Sequence, residues 1–340
     1  MSEVLLPAIW FFLWGLLWAI YFALDGFDLG AGILAGLARR DDEQLLLIRS
    51  LGPIWDGNEV WVITAGGVTF AAFPKLYATM FSSLYLPLIL ILLGLVLRAV
   101  AIEFYNLDDA PGWKRLWAGV LAGASLMVAL LFGVAFGNIF QGLPLDAEGF
   151  KGNLLTLLNP YGLLTGLLFV VAFLYNGAAW LAHKARDEEH RQRGLALAQR
   201  LWPWFFGVAG LFLIATPFAT RLVENYLAAP VLFLIPLAAV GLILWSFAQV
   251  RRGQPTAALL SGSLTVLLTV MAAVVGLYPN MFPSSIDPAY SVTAFNAASS
   301  PYTLRLMLLV AAIFLPLVLV YQAWAYKLFG RSRSGVEVGY

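Results

Sequence analysis

The stretch Ile54-Trp55-Asp56-Gly57-Asn58-Glu59-Val60-Trp61-Val62-Ile63-Thr64-Ala65-Gly66-Gly67 decides how this chain is read. Beyond Glu59 it runs on through apolar and small residues to Ala72, as a membrane span does. Its opening turn nevertheless carries two carboxylates, an amide and two tryptophans. A charged side chain deep in a bilayer costs about 3 kcal/mol on insertion scales, and more on others. Two of them one helical turn apart therefore point to a use. Asp56 and Glu59 stand at i and i+3 and share a face; Asn58 and Trp61 share a neighbouring one.

The composition agrees with a membrane protein. Of 340 residues, 61% are hydrophobic and 11% charged, with mean hydropathy +0.84. A soluble domain is nearer half apolar and a quarter charged. A net charge of +1, with no basic run, argues against nucleic acid. The lack of cysteine excludes disulfides, thiolate metal sites and cysteine nucleophiles. The first apolar run has no charged leader or small-residue cleavage site, so it is expected to be a helix of the mature chain.

With about 20 apolar residues needed per crossing, nine spans are expected: Pro7–Leu34, Trp55–Ala72, Met80–Glu103, Trp117–Ile139, Asn159–Ala182, Leu201–Ala219, Val231–Val250, Thr256–Leu277 and Thr303–Phe329. Loops on one side hold fifteen Lys and Arg residues, among them Arg39, Arg40, Lys184, Arg251, Arg331 and Arg333. The other side holds only Lys75, Lys151 and Arg221. The positive-inside bias puts the N-terminus outside and the C-terminus in the cytoplasm. The loops Gln141–Leu158 and Tyr278–Tyr302 read as ordered caps outside the cytoplasm. Gly26/Gly30 and Gly133/Gly137 read as close helix contacts.

A weak internal repeat sets Leu13-Trp14-Gly15-Leu16-Leu17 through Asp25-Gly26 on Leu164-Thr165-Gly166-Leu167-Leu168 through Asn176-Gly177. Asn138-Ile139-Phe140 echoes in Asn280-Met281-Phe282. The expected fold is all-α and polytopic: two parallel four-helix units plus one peripheral helix. Residues 1–150 form the first unit and 151–280 the second. Residues 281–340 supply a loop, the ninth helix and a cytoplasmic tail.

In that topology Asp25 and Asp28, Asp56 and Glu59, and Arg98 and Glu103 lie at similar depth, toward the cytoplasm. At ~1.5 Å per residue Asp25 is about 14 Å from Leu34. One reading is a half-channel that relays protons from the cytoplasm; the other is a set of structural ion pairs. Function is the preferred reading for Asp25 and Asp56. For Arg98 with Glu103 a structural charge pair is preferred, and Asp28 and Glu59 fall between. Trp61, deeper than the interfacial Trp55, is either packing or part of a path.

The redox side is missing. His183 and His190 fall in a Lys/Arg-rich loop and are expected to be solvated, so no haem ligand is expected in this chain. No phosphate loop or Ser-His-Asp set appears.

Several motifs together resemble subunit II of cytochrome bd-type quinol oxidases. They are Asp25-Gly26-Phe27-Asp28-Leu29-Gly30, Pro53-Ile54-Trp55-Asp56-Gly57-Asn58-Glu59-Val60-Trp61 with Ala65-Gly66-Gly67, and Phe73-Pro74. Gly133-Val134-Ala135-Phe136-Gly137-Asn138, Leu158-Asn159-Pro160-Tyr161-Gly162-Leu163-Leu164 and Ala298-Ser299-Ser300 follow in order. The resemblance implies a bacterial cytoplasmic-membrane complex that oxidises quinol, reduces dioxygen and builds a proton gradient. It implies two b-type haems and one d-type haem in a partner, subunit I, with small single-span accessory subunits and lipid as further neighbours. It implies proton access through Asp25, Asp28 and Asp56 and oxygen access past Trp61; Glu59, sharing a face with Asp56, is expected to belong with the proton-access residues by its position. At the second-half equivalent of Asp25 stands Asn176, which would confine a proton path to the first half. The competing classes are a secondary transporter using intramembrane carboxylates and a purely structural scaffold.

Overall fold

Prolines mark where several helices begin. Pro74, Pro111, Pro160 and Pro255 each open a helix at its first turn, where the missing N–H has no intrahelical partner to lose. The computed structural model describes residues 4–330. Arg331 and Arg333, with the rest of the tail 331–340, lie outside the described residues. In chain order the helices are α1 Leu5–Leu37, α2 Asp41–Leu51, α3 Trp55–Ala72, α4 Pro74–Ser83, α5 Tyr85–Phe104 and α6 Pro111–Gln141. Then follow α7 Leu154–Leu157, α8 Pro160–Lys184, α9 Glu188–Ala219, α10 Val223–Ala228, α11 Leu234–Arg251, α12 Pro255–Leu277 and α13 Pro301–Gly330.

Eight of these helices are long and apolar enough to cross a membrane. The stretch that opened the sequence reading, α3, is not among them. It has 18 residues, but its polar first turn lowers its hydropathy. Other expected bounds shift too. The third span is broken at Leu84 into α4 and α5. The sixth is one continuous helix of 32 residues, with Pro203 and Pro217 inside it. Between the first two spans the chain forms α2, an amphipathic helix with Asp41, Asp42 and Glu43 in its first turn and Arg49 in its last, as the helix dipole favours.

The centre is built from α1, α6, α8 and α12, which bury most of their length, while α9, α11 and α13 face mainly outward. Backbone approach between α1 and α8 is set by glycine. A Cβ on Gly30 would overlap the carbonyl oxygen of Phe173, and one on Gly177 would overlap the backbone of Gly30 and Ala31. At the α6–α8 crossing a Cβ on Gly133 would stand 2.6 Å from the Cα of Gly166. Around these crossings Trp18, Phe22, Phe132, Phe136 and Phe169 interlock, with Phe22 and Phe169 centroids 4.8 Å apart. Such edge-to-face contacts add about 1 kcal/mol each to simple burial.

Polar clasps close both ends of the bundle. Asn138 donates to the carbonyl of Leu157 (2.7 Å) and accepts from Asn159 (2.8 Å), whose own side chain caps α8 at Gly162. There β1 (Leu145–Asp146) pairs antiparallel with β2 (Gly149–Phe150), and β3 (Asn280–Phe282) with β4 (Val292–Thr293). Leu143 bridges to Ser284 and links the two caps. At the other end Arg40 pairs with Asp42 and Glu189, tying the α1–α2 turn to α9. The Arg40 guanidinium draws the Asp42 carboxyl down to about 2. That contribution is therefore present above the ordinary carboxylate range and is lost as pH falls through about 2. His190 is buried, not solvated, and sits on Asp187 at 2.8 Å. His183 contacts Thr256 Oγ1 at 2.9 Å.

Gly30→Ala is expected to destabilise the chain by about 1–3 kcal/mol or more through overpacking. Gly119→Ala, where a Cβ meets open space, is expected to be neutral or slightly stabilising. Thermal unfolding midpoints of both variants in the same detergent check the contrast.

Candidate functional site

Three helices deliver ionisable groups to one level of the bundle. Asp25 and Asp28 come from α1, one turn apart and both buried. Glu59 comes from the first turns of α3, and Arg98 from the last part of α5. Arg98 is fully buried and forks between two carboxylates. It donates from Nη1 to Asp25 Oδ1 at 2.7 Å and from Nη2 to Glu59 Oε2 at 2.9 Å. The planar, always-charged guanidinium suits this double contact in a way a lysine does not. It neutralises one carboxylate and shares the charge of a second.

Asp28 has no arginine. Its Oδ2 accepts from Asn58 Nδ2 at 2.7 Å. Asn58, fully buried on α3, accepts in turn from two groups of α13: the Tyr326 hydroxyl at 2.7 Å and Gln322 Nε2 at 3.2 Å. Trp61 is buried, and its indole N–H donates to Gln322 Oε1 at 2.8 Å. Each aspartate is thus held by one oxygen. Asp25 Oδ2 and Asp28 Oδ1 are buried without a hydrogen-bond partner among the described residues. A carboxylate fixed at one oxygen and free at the other can accept a proton without losing its place.

The expected residues are distributed unequally. Asp25, Asp28, Glu59 and Arg98 converge, as their common depth implied. Asp56 is on the exposed side of the first turn of α3. The Glu59 side chain is 18% exposed, so exposure falls from Asp56 through Glu59 to Asp25. The expected pair of Arg98 with Glu103 is corrected. Glu103 is exposed, while Arg98 takes Asp25 and Glu59. Five residues turn a helix by about 500°, so the two side chains leave α5 about 140° apart. Gln322 and Tyr326 were missed by the sequence reading. Their i, i+4 spacing on an apolar helix was the available signal, but near a span end such residues look like interfacial anchors.

The second half carries neutral residues at the corresponding positions, without a side-chain hydrogen bond between them among the described residues. The offset of 151 residues that sets Asp25 on Asn176 also sets Arg98 on Gln249. Both are buried. A cavity of about 310 Å³ between α9, α10, α11 and α12 is apolar and lined by residues such as Phe212, Tyr226, Val240 and Ile243. It holds none of the carboxylates. Among the described residues no group of three or more His, Cys, Asp and Glu is placed to hold a metal.

Residues 6–329 match the family model for cytochrome bd terminal oxidase subunit II. The chain is 34% identical over 363 residues to "Cytochrome bd-I ubiquinol oxidase subunit 2" of Escherichia coli strain K12, covering 97% of this chain and 96% of that one. It is 33% identical over 342 residues to "Cytochrome bd ubiquinol oxidase subunit 2" of Bacillus subtilis strain 168, covering 97% of each. Its fold is similar to a chain in the structure of bd oxidase from Geobacillus thermodenitrificans, with TM-score 0.78, 17% identity, and 95% and 98% of the two chains covered.

Removing Arg98 strands a buried carboxylate. Arg98→Gln is expected to cost about 3–5 kcal/mol. The double variant Asp25→Asn with Arg98→Gln, which copies the Asn176 and Gln249 of the second half, is expected to recover part of that loss. Unfolding midpoints of the single and double variants, measured together, check this.

Proposed function

The chain belongs to the cytochrome bd terminal oxidase subunit II family, and on that footing we propose that its buried carboxylates form the cytoplasmic proton-access path of the complex. The complex is an oxidoreductase of the respiratory chain, and this subunit is a multi-pass protein of the bacterial inner membrane. In the proposed arrangement α3 crosses the membrane as a ninth span, with the N-terminus outside and the C-terminus in the cytoplasm. Residues 1–150 form the first four-helix unit, 151–280 the second, and 281–340 the loop, last helix and tail. Subunit I docks on the first unit, and the outward apolar residues Ile63 and Phe70 of α3 and Leu92 of α5 support that face. Small accessory subunits and lipid complete the surroundings.

The observation that carries the reading is the graded run of carboxylates. Asp56 is exposed, Glu59 partly so, and Asp25 and Asp28 are sealed. A proton taken up at Asp56 passes to Glu59 and then to the free Oδ atoms of Asp25 and Asp28. Arg98 keeps the cluster from carrying the full charge of its acids. The electrons are handled elsewhere. His183 and His190 are engaged with Thr256 and Asp187 at one end of the bundle, so this chain's donor set does not fit an axial haem ligand. We assign two b-type haems and one d-type haem to subunit I, where they supply electrons from quinol and the iron that binds dioxygen. Trp61, buried beside α13, is assigned to the oxygen route. A transporter is not favoured, since the family carries the oxidase assignment.

Asp28→Asn, in a complex that retains its full haem content, is expected to lower quinol-driven oxygen consumption about ten-fold or more, with slower proton uptake. Unchanged turnover and uptake would return the cluster to a structural part. Trp61→Phe is expected to change the rate of oxygen association measured by flash photolysis; identical kinetics would remove Trp61 from the oxygen route.

A further inference from the structure

The hydrogen bonds around Asn58 have a direction. An indole nitrogen is a donor only. Trp61 Nε1 therefore fixes which end of the Gln322 amide is oxygen, because Oε1 must face it at 2.8 Å. The other end of Gln322, Nε2, then points at Asn58 Oδ1 (3.2 Å) and the Gly57 carbonyl (3.4 Å), both acceptors. Asn58 Oδ1 also takes the Tyr326 hydroxyl at 2.7 Å, so both of its acceptor positions are used. With its oxygen committed, Asn58 can present only its NH₂ to Asp28 Oδ2, at 2.7 Å. An amide flipped the other way would set oxygen against carboxylate. Polarity thus passes from Trp61 through Gln322 and Asn58 to Asp28, and Tyr326 locks the same orientation from a second side.

Helix α13 is mostly exposed along its length. Its two residues that enter this chain, Gln322 and Tyr326, stand at i and i+4 on one face. The Tyr326 ring also meets Phe27, next to Asp28, at 6.4 Å and 71°.

From this geometry we propose that Gln322 and Tyr326 are positioning residues for Asp28, acting through Asn58, so that α13 is part of the proton site and not only its cover. The functional side of this proposal rests on the proton-access reading above; the structural side does not. An NH donated to a carboxylate oxygen favours its ionised form. The oriented amide is therefore one of the groups that set how readily Asp28 holds a proton. The other charged and titratable groups around Asp28, among the described residues, are Asp25 on α1, Arg98 on α5 with Glu59 of α3 on its far side, and Lys184 at the end of α8. None of these is altered by a change at Tyr326 or Gln322.

The test uses the assembled complex with its full haem content. Tyr326→Phe keeps the ring and its contact with Phe27 and removes only the hydroxyl. Gln322→Met keeps the length and removes both amide ends. Two quantities are read: the pH dependence of quinol-driven oxygen consumption, and the infrared carboxyl band that disappears in Asp28→Asn. In both variants the acidic limb of the rate profile is expected to move to higher pH by about half a unit or more, the scale of one lost hydrogen bond. The band is expected to shift rather than vanish, and the rate at the optimum to fall less than in Asp28→Asn. A profile and band both at their wild-type positions in the two variants would overturn the proposal. If Asp28→Asn itself leaves turnover unchanged, the proton-access reading fails on its own. The band, which does not depend on turnover, then still decides the positioning: shifted in the variants it upholds it, unshifted it overturns it.

Discussion

The rest of the structure is arranged around one cation in hydrocarbon. Arg98 cannot lose its proton in any ordinary condition, and left alone on α5 it would oppose insertion of that helix. Its two partners sit on different helices, Asp25 on α1 and Glu59 on α3. One guanidinium thereby joins three helices, and between α1 and α3 the Asn58–Asp28 and Trp14–Thr69 hydrogen bonds add to it. Apolar faces alone do not set a rotation in lipid, because lipid tails are as apolar as leucine. A two-pronged ion pair does set it, since a rotation of either carboxylate helix leaves a charge without a partner.

The two halves answer the same packing problem with different polarity. The α1–α8 and α6–α8 crossings are glycine-mediated, and under the repeat's register buried polar residues recur on the corresponding helices. Buried Asp25 and Arg98 fall, at an offset of 151 residues, on buried Asn176 and Gln249. Only the charged set is joined side chain to side chain: Asp25 pairs with Arg98, whereas the Asn176 side chain and Gln249 Oε1 have no hydrogen-bond partner among the described residues.

Much of this was legible in the sequence, and the failures have physical causes. Hydropathy located eight of the nine expected spans as helices long and apolar enough to cross a membrane, α3 being the exception, because length and apolarity are properties of a segment by itself. The common depth of Asp25, Asp28, Glu59 and Arg98 followed from helix rise and alternating direction. Partner choice did not follow. Arg98 was matched to the nearest carboxylate in sequence, Glu103, although helix geometry sends that side chain away from it. The break at Leu84 left no Gly or Pro at the site itself, so a continuous span was expected. Gln322 and Tyr326 were invisible for a different reason. Their meaning depends on α3, some 260 residues earlier, and nothing local distinguishes a partnered polar residue from an interfacial one.

The glycine crossing has an electrostatic consequence. Gly30, two residues from Asp28, rests its backbone directly on that of α8, and Gly26, next to Asp25, rests on the Phe173 ring. Where main chain touches main chain there is little room for dipoles to swing or for water to enter, so the surroundings answer weakly to a change of charge. An unbalanced charge appearing at Asp25 or Asp28 is then poorly screened by relaxation of the protein. It is relieved chiefly by an ion of opposite sign arriving with it, and the smallest one available is the proton. Stiffness at this crossing therefore makes a lone change of charge at Asp25 or Asp28 costly unless a compensating charge moves with it.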